Sequence, residues 1–230
     1  MEKRIQGLLL DVDGTLVNSN DAQAQAWVQA MDEHGYHVSF EQVRPLIGMG
    51  GDKVLPETIG LAKQSEQGQR IGQRHKALFM QHYLPHLSAF PQSWELLQFL
   101  RQQGFVLVAA SSAEPDELEE LLKRIHPQAP ALFTRQTSAE DAGSSKPNPD
   151  VIQAALQQID MRPEQTMMIG DTAYDIEAAS RAGVQTIAFR CGGWSDQDLQ
   201  GAVAIYDGPA DLLAHYPSSP LAQHQATARR

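Results

Sequence analysis

Along this chain apolar positions come in short blocks rather than in strict alternation. Residues 5–10 (IQGLLL), 105–110 (FVLVAA), 166–170 (TMMIG) and 184–189 (VQTIAF) are brief apolar runs that stop at polar residues. A run this short and this apolar reads as a strand covered on both faces, the pattern of a parallel sheet. Weaker runs at 131–134 and 202–206 add two candidate strands. Between them the period changes. Ala22, Ala26, Trp27, Ala30 and Met31 predict a helix over 21–34, with Asn20 or Asp21 as its cap. Further helices are predicted near 91–103, 115–124, 150–158 and 174–182. From about 36 to 86 the pattern stays helical, broken at 48–51, Pro56 and Gly60, and no strand is evident there.

Strands that alternate with helices imply an α/β fold, here a Rossmann-like, doubly wound parallel sheet. The helical block after the first strand interrupts that alternation. The simplest arrangement is a core of residues 1–17 and 87–216 with an inserted all-α cap at 18–86 standing over the end of the sheet. Residues 217–230 carry no period and are expected to be a flexible tail.

Charge narrows the function. The 230 residues hold 18 Lys+Arg against 28 Asp+Glu, a formal net charge of −10. A sequence-independent nucleic-acid binder needs the opposite surplus, and anionic lipid would repel this chain. No segment approaches the ~20 apolar residues of a membrane span, and the N-terminal apolar run is too short for a secretory signal. One cysteine, Cys191, allows no intrachain disulfide. These features set the expectation of a cytoplasmic protein acting on a small molecule. An acidic protein that handles an anion needs local cations, and a metal is the obvious source.

Three predicted strands end in reactive groups: Asp11 and Asp13, Ser111 and Ser112, Asp171 and Asp175. Ligands of open α/β sheets bind outside the carboxyl ends of the strands, so the topology brings these groups together, with Lys146 from a polar loop. Phosphoryl transfer asks for such a set: a nucleophile, a proton donor for the leaving oxygen, and cations on the charged oxygens. A carboxylate nucleophile splits hydrolysis into two steps through an acyl phosphate. Asp11 and Asp13 alternate on an extended segment and would point to opposite sides unless the chain turns, a turn that Gly14 permits. Clustered Asp11, Asp13 and Asp171 repel one another unless a hard cation such as Mg²⁺ lies among them.

DVDGTLVNS, the strand-terminal Ser111, Lys146-Pro147 and GDTAYDIEAA resemble the four motifs of the haloacid dehalogenase-like superfamily, over about residues 5–216. The helical insertion looks like the small cap of its phosphoglycolate phosphatase and β-phosphoglucomutase branch. The resemblance implies Asp11 as nucleophile and Asp13 as general acid and base, with its backbone carbonyl a Mg²⁺ ligand. It implies Asp11 and Asp171 as carboxylate ligands and Asp175 as a support behind the metal. Ser111, Ser112 and Lys146 would hold the phosphoryl group. Gly14 and Thr15 match the turn after the nucleophile.

Departures from the family pattern carry information too. Asn18 stands where many relatives have Asp. The mutases carry a His at Gln23 and an Arg close to Gly51, which disfavours a sugar-phosphate mutase. The dehalogenases lack a carboxylate at Asp13. The expected activity is therefore a Mg²⁺-dependent phosphatase acting through an aspartyl phosphate on a small phosphorylated metabolite. A phosphomutase and a non-catalytic or regulatory phospho-ligand-binding protein are the alternatives. In the cap loop 48–53 (GMGGDK), Lys53 is a candidate for a distal anion of the substrate. Trp27 and Met31 read as cap core, His34, His37, His75 and His82 as fillers, and Cys191 as an incidental thiol.

Overall fold

The structure, a computed structural model, describes residues 5–138, 141 and 143–222. β1 (Gly7–Leu10) lies at the centre of a six-stranded parallel sheet, between β2 (Val106–Ala110) and β4 (Thr166–Gly170). β3 (Arg135–Thr137) flanks β2 at one edge, and β5 (Gln185–Phe189) and β6 (Ala204–Tyr206) lie beyond β4. The chain winds outward from β1 to β3, then returns to the other side of β1. The direction of winding thus reverses beside the carboxyl end of β1, where the first acidic motif begins.

Period-two alternation divides the sheet's two faces. Leu8, Leu10, Leu107 and Ile169 pack with α5 (Ser93–Gln102), α6 (Pro115–Ile125) and α9 (Pro209–Ala214) through Leu97, Leu100, Leu121 and Leu212. Leu9, Val108, Ala110 and Met168 face the opposite layer, Val151 and Ala155 of α7 (Asp150–Gln158) and Ala178 and Ala179 of α8 (Ala173–Arg181). Every residue of β1 is buried, as an all-apolar strand in a parallel sheet requires.

Two expectations change. The apolar residues at 131–134 do not form a strand. Pro130 opens a 3-10 turn, Ala129–Leu132, and Ala129 and Phe133 are buried beneath it. β3 starts just after, and as an edge strand it buries only Thr137, so it leaves no apolar run in the sequence. The expected tail begins too early. Tyr216–Ser218 form a 3-10 turn, Tyr216 packs edge-on against Phe99 at 4.7 Å, and Leu221 is fully buried. The remaining tail positions, 223–230, lie outside the described residues.

Between β1 and α5 the chain forms only helices: α1 (Asn20–Asp32), α2 (Phe40–Val43), α3 (Gly51–Ile59) and α4 (Glu66–Leu78), the last continued by a π-helical turn, Phe79–Tyr83. Trp27, Met31, Leu55, Ile71 and Phe79 are buried within this layer. Its two connections to the sheet run side by side. Val17 and Ala89 form an antiparallel bridge, the Asn18 N–H donates to Ser88 O at 3.0 Å, and the Phe90 N–H donates to Leu16 O at 2.9 Å. Among the described residues no helix is long and apolar enough to cross a membrane.

The docking of 217–222 is testable by mutation. Leu221→Ala removes a fully buried side chain and should cost about 2–5 kcal/mol in guanidinium unfolding. Stability equal to the parent would show that this segment is not part of the core.

Candidate active site

The carboxyl ends of β1 and β4 lie side by side, so Asp11 and Asp171 leave the sheet as neighbours. Lys146 reaches them from the loop before α7. Its ammonium donates to Asp11 Oδ1 at 2.5 Å and pairs with Asp175 Oδ1 at 2.7 Å. All four side chains are buried, and Lys146 is only 1 % exposed. Asp175 belongs to the first turn of α8 and forms a capping box with Thr172. The Thr172 amide and hydroxyl donate to Asp175 Oδ2 at 3.1 and 2.7 Å. Asp171 is held by the Thr15 hydroxyl at 2.8 Å on Oδ1 and by Asn20 Nδ2 at 2.9 Å on Oδ2.

One oxygen from each of Asp11, Asp171 and Asp175 lies within 4.8 Å of the others. Burial lifts the Asp11 carboxyl to about 7 against the pull of Lys146. Burial, then the charges of Asp11 and Asp175, raise Asp171 well above the usual carboxylate range. A single ammonium does not balance three buried carboxylates, and their donor set is all oxygen. The residues therefore fit a hard divalent cation. Backbone closes this cluster on two sides. At Gly14 (φ +73°) a Cβ would meet Asn20 Nδ2 at 2.1 Å, and at Gly192 it would meet Asp171 Oδ2 at 1.7 Å.

Asp13 points elsewhere. Its Oδ1 accepts from Ser19 Oγ at 2.6 Å and from Gln23 Nε2 at 3.2 Å. Burial raises its pKa, and those two hydrogen bonds oppose the rise. Both donors occupy one oxygen, and Asp13 is among the residues that line the cavity described below. The Gln23 amide also donates to Glu117 Oε1 at 2.7 Å. Glu117 is buried in the first turns of α6 and is pushed up to about 8 by desolvation, then by the charge of Asp13.

A cavity of about 650 Å³ opens over Asp11 and Asp13, between the sheet and the helical layer. Ser111 and Ser112 line its floor. Ser111 Oγ accepts from the Ala113 N–H at 3.0 Å, and the buried Ser112 Oγ has no partner among the described residues. Lys53 does not line this cavity. Gly50, Gly51 and Asp52 face it at the start of α3, and each further helical residue turns by about 100°, which carries Lys53 out of line. Its ammonium lies 3.9 Å from Asp52. The cavity's lysines are Lys63 and Lys76. Lys76 is held by Glu114 and Asp116, each at 2.7 Å, whereas Lys63 makes no ion pair among the described residues.

Trp27 and His75 serve both as core and as cavity wall, stacked at 3.9 Å. Burial, then the nearby Lys63 charge, pushes His75 down to about 3, so it is neutral. Cys191 is pushed up to about 12 by burial and the Asp171 charge, which keeps it an unreactive thiol. Ser19, Asn20, Gln23, Lys63 and Glu117 were not legible as site residues. Asn20 in particular is no cap: it is the first residue of α1, the capping position is Ser19, and its Nδ2 donates to Asp171. The one available signal is the polar set Ser19, Asn20 and Gln23 around the first turn of α1, directly after the acidic motif.

The sequence profile of the haloacid dehalogenase-like hydrolases matches residues 8–189. A phosphoglycolate phosphatase of Aliivibrio fischeri is 31 % identical over 202 residues, 84 % of this chain and 87 % of that protein. A pyrophosphatase, PpaX, of Bacillus mycoides is 27 % identical, across 80 % of this chain and 83 % of its own length. The crystal structure of a hydrolase from Pseudomonas syringae superposes with a TM-score of 0.85 at 26 % identity, over 93 % of this chain and 98 % of that one. With its aspartate-bearing strand end, buried lysine and acid cluster set on that fold, this chain belongs to the haloacid dehalogenase-like hydrolases and stands among their phosphatases.

Proposed function

We propose that the protein is a Mg²⁺-dependent phosphomonoesterase that works through an aspartyl phosphate on Asp11. The observation that carries this reading is the separation of two neighbouring aspartates. Asp11 lies in the acid cluster against Lys146, while Asp13 is held apart through one oxygen at the cavity wall. A carboxylate fixed beside an ammonium is oriented for attack, and a second, anchored through one oxygen, can pass a proton with the other.

In the first step the Asp11 carboxylate attacks phosphorus. The bond to the leaving oxygen breaks, and that oxygen takes the proton from Asp13 Oδ2. In the second step Asp13 takes a proton from water, whose oxygen attacks phosphorus, and the bond to Asp11 breaks. Inorganic phosphate leaves and both aspartates are restored. Lys146 and the Ser111 and Ser112 hydroxyls balance and orient the phosphoryl oxygens. Asp11 and Asp171, with the Asp13 carbonyl, would hold a Mg²⁺ ion and Asp175 would steady them; the ion would supply neutralisation of negative charge. The helices of 18–86 act as a cap that excludes bulk water. Relatives named as phosphatases favour hydrolysis over return of the phosphoryl group to a second hydroxyl.

The substrate class follows from the cap side of the cavity. Phosphoglycolate and pyrophosphate, in the names of two relatives, share a second anionic group beside the phosphoryl group. Lys63, which lines the cavity and makes no ion pair among the described residues, is the residue here that would receive it.

The purified protein should hydrolyse p-nitrophenyl phosphate with Mg²⁺ and lose that activity in excess EDTA. Undiminished turnover after exhaustive metal removal refutes the reading. Asp13→Asn should give a burst of about one p-nitrophenolate per active site and then slow turnover, because a weakly basic leaving group needs little acid but hydrolysis of the intermediate still needs its base. Mass spectrometry of the quenched protein should find phosphate on Asp11. Steady turnover of this variant at the parent rate contradicts the assignment of Asp13.

Lys63→Ala should raise KM for phosphoglycolate or pyrophosphate by about 10- to 100-fold, the worth of a charged hydrogen bond. It should leave p-nitrophenyl phosphate nearly unchanged. Equal effects on both kinds of substrate would return Lys63 to the surface.

A further inference from the structure

Glu117 is a carboxyl group in a place that already holds too many. It lines the cavity from the core helix α6, is only 5 % exposed, and contributes nothing to the cluster of Asp11, Asp171 and Asp175. A buried acid beside four others, in a cavity for an anion, is costly unless its hydrogen bonds compensate. Its partner is Gln23. One nitrogen, Gln23 Nε2, donates both to Glu117 Oε1 at 2.7 Å and to Asp13 Oδ1 at 3.2 Å.

That shared nitrogen decides which way the amide faces. Two carboxyl groups flank it, and both accept from it. A flipped amide would turn its oxygen to the Asp13 oxygen that now accepts from Gln23 and lose that bond. The bond to Glu117 is the shorter, so it is the stronger anchor of the amide. Ser19 remains as a second donor on the same Asp13 oxygen at 2.6 Å. Together they restrain rotation of the Asp13 carboxyl at the cavity wall.

We propose that Glu117 is a positioning residue for proton transfer at Asp13, acting through Gln23. This rests on the assignment of Asp13 as the acid and base. Glu117 does not touch the reacting atoms. It clamps the amide that clamps the acid. The amide oxygen of a glutamine at this position would accept the same bond from Gln23 Nε2. Glutamine should therefore replace it, and alanine should not.

The test reads the dependence on the leaving group. A series of aryl phosphates from 2,4-dinitrophenyl to phenyl phosphate is run with Mg²⁺ on the parent protein, Glu117→Ala, Glu117→Gln, Gln23→Ala and the double alanine variant. The parameter is kcat/KM, which covers only the steps up to departure of the phenol. Glu117→Ala should lose about 10- to 100-fold on phenyl phosphate, the scale of a misplaced catalytic group, and less than about threefold on the dinitrophenyl ester, which needs no acid. Glu117→Gln should stay near the parent across the series. The double variant should be no worse than the poorer single one, because both remove one linkage. A loss equal across the series, a glutamine variant as poor as alanine, or losses that multiply in the double variant would each overturn the proposal. If Glu117→Ala does not fold, as thermal unfolding will report, the glutamine variant and Gln23→Ala decide it: both must follow the stated pattern. A parent protein inactive on every ester refutes the phosphatase reading itself, whereas an active parent with a flat response refutes the role of Glu117 alone.

Discussion

Everything in the site depends on one buried ammonium. Lys146 is almost fully withdrawn from water and bridges Asp11 and Asp175. A charge in that position is tolerated only when paired, and removing one partner of such a pair costs about 3–5 kcal/mol. The three groups come from distant parts of the chain: the end of β1, the loop before α7 and the first turn of α8. Their meeting is thus a joint constraint on three βα connections. It also sets the sign of the surroundings. One ammonium between two carboxylates leaves a third, Asp171, without a counter-charge, and Thr15 and Asn20 can only hold it in place. The shortage of positive charge at this spot is what makes a divalent cation chemically suitable.

The other wall of the site is electrically different. The acids gather at the sheet, whereas the helical layer offers Lys63, neutral His75 and amide side chains such as Gln69 and Gln73. The cavity is therefore polarised along its length. An ester lying in it would place its phosphoryl end against the acid cluster and its other end against amides and a lysine. The rim is tied across. Lys76 of α4 pairs with Glu114 and Asp116 of the core, and Asp52 of α3 accepts the Ser145 hydroxyl next to Lys146.

The parts of this arrangement that were legible in the sequence are those where backbone position dictates chemistry. A strand buried on both faces must be apolar, so β1, β2, β4 and β5 are visible as runs. An aspartate ending such a run has few other reasons to be there. β3 was not visible, because an edge strand with exposed Arg135 and Gln136 obeys no apolar rule. Gln23 and Glu117 were hidden for a different reason. A polar residue on a helix is ordinarily solvated, and only packing reveals that these two face each other in the interior. Lys53 and Lys63 show the same limit. Both lie in the helical layer, and which of them enters the cavity depends on how α3 begins and how the chain turns after Gly60, a matter of a few dihedral angles that no composition records.

The pairing of the two connections at Val17 and Ala89 bears on how this protein is put together. Opposed residues in an antiparallel pair stand about 4.5–5.5 Å apart at their Cα atoms, a gap that a two-residue turn can span. The polypeptide therefore leaves the sheet layer and re-enters it at one point, after a detour that contributes no strand. Its first helix is tied to the strand ends, through Asn20 on Asp171 and Gln23 on Asp13, so a change of length in the detour is absorbed with least strain in the helices beyond α1.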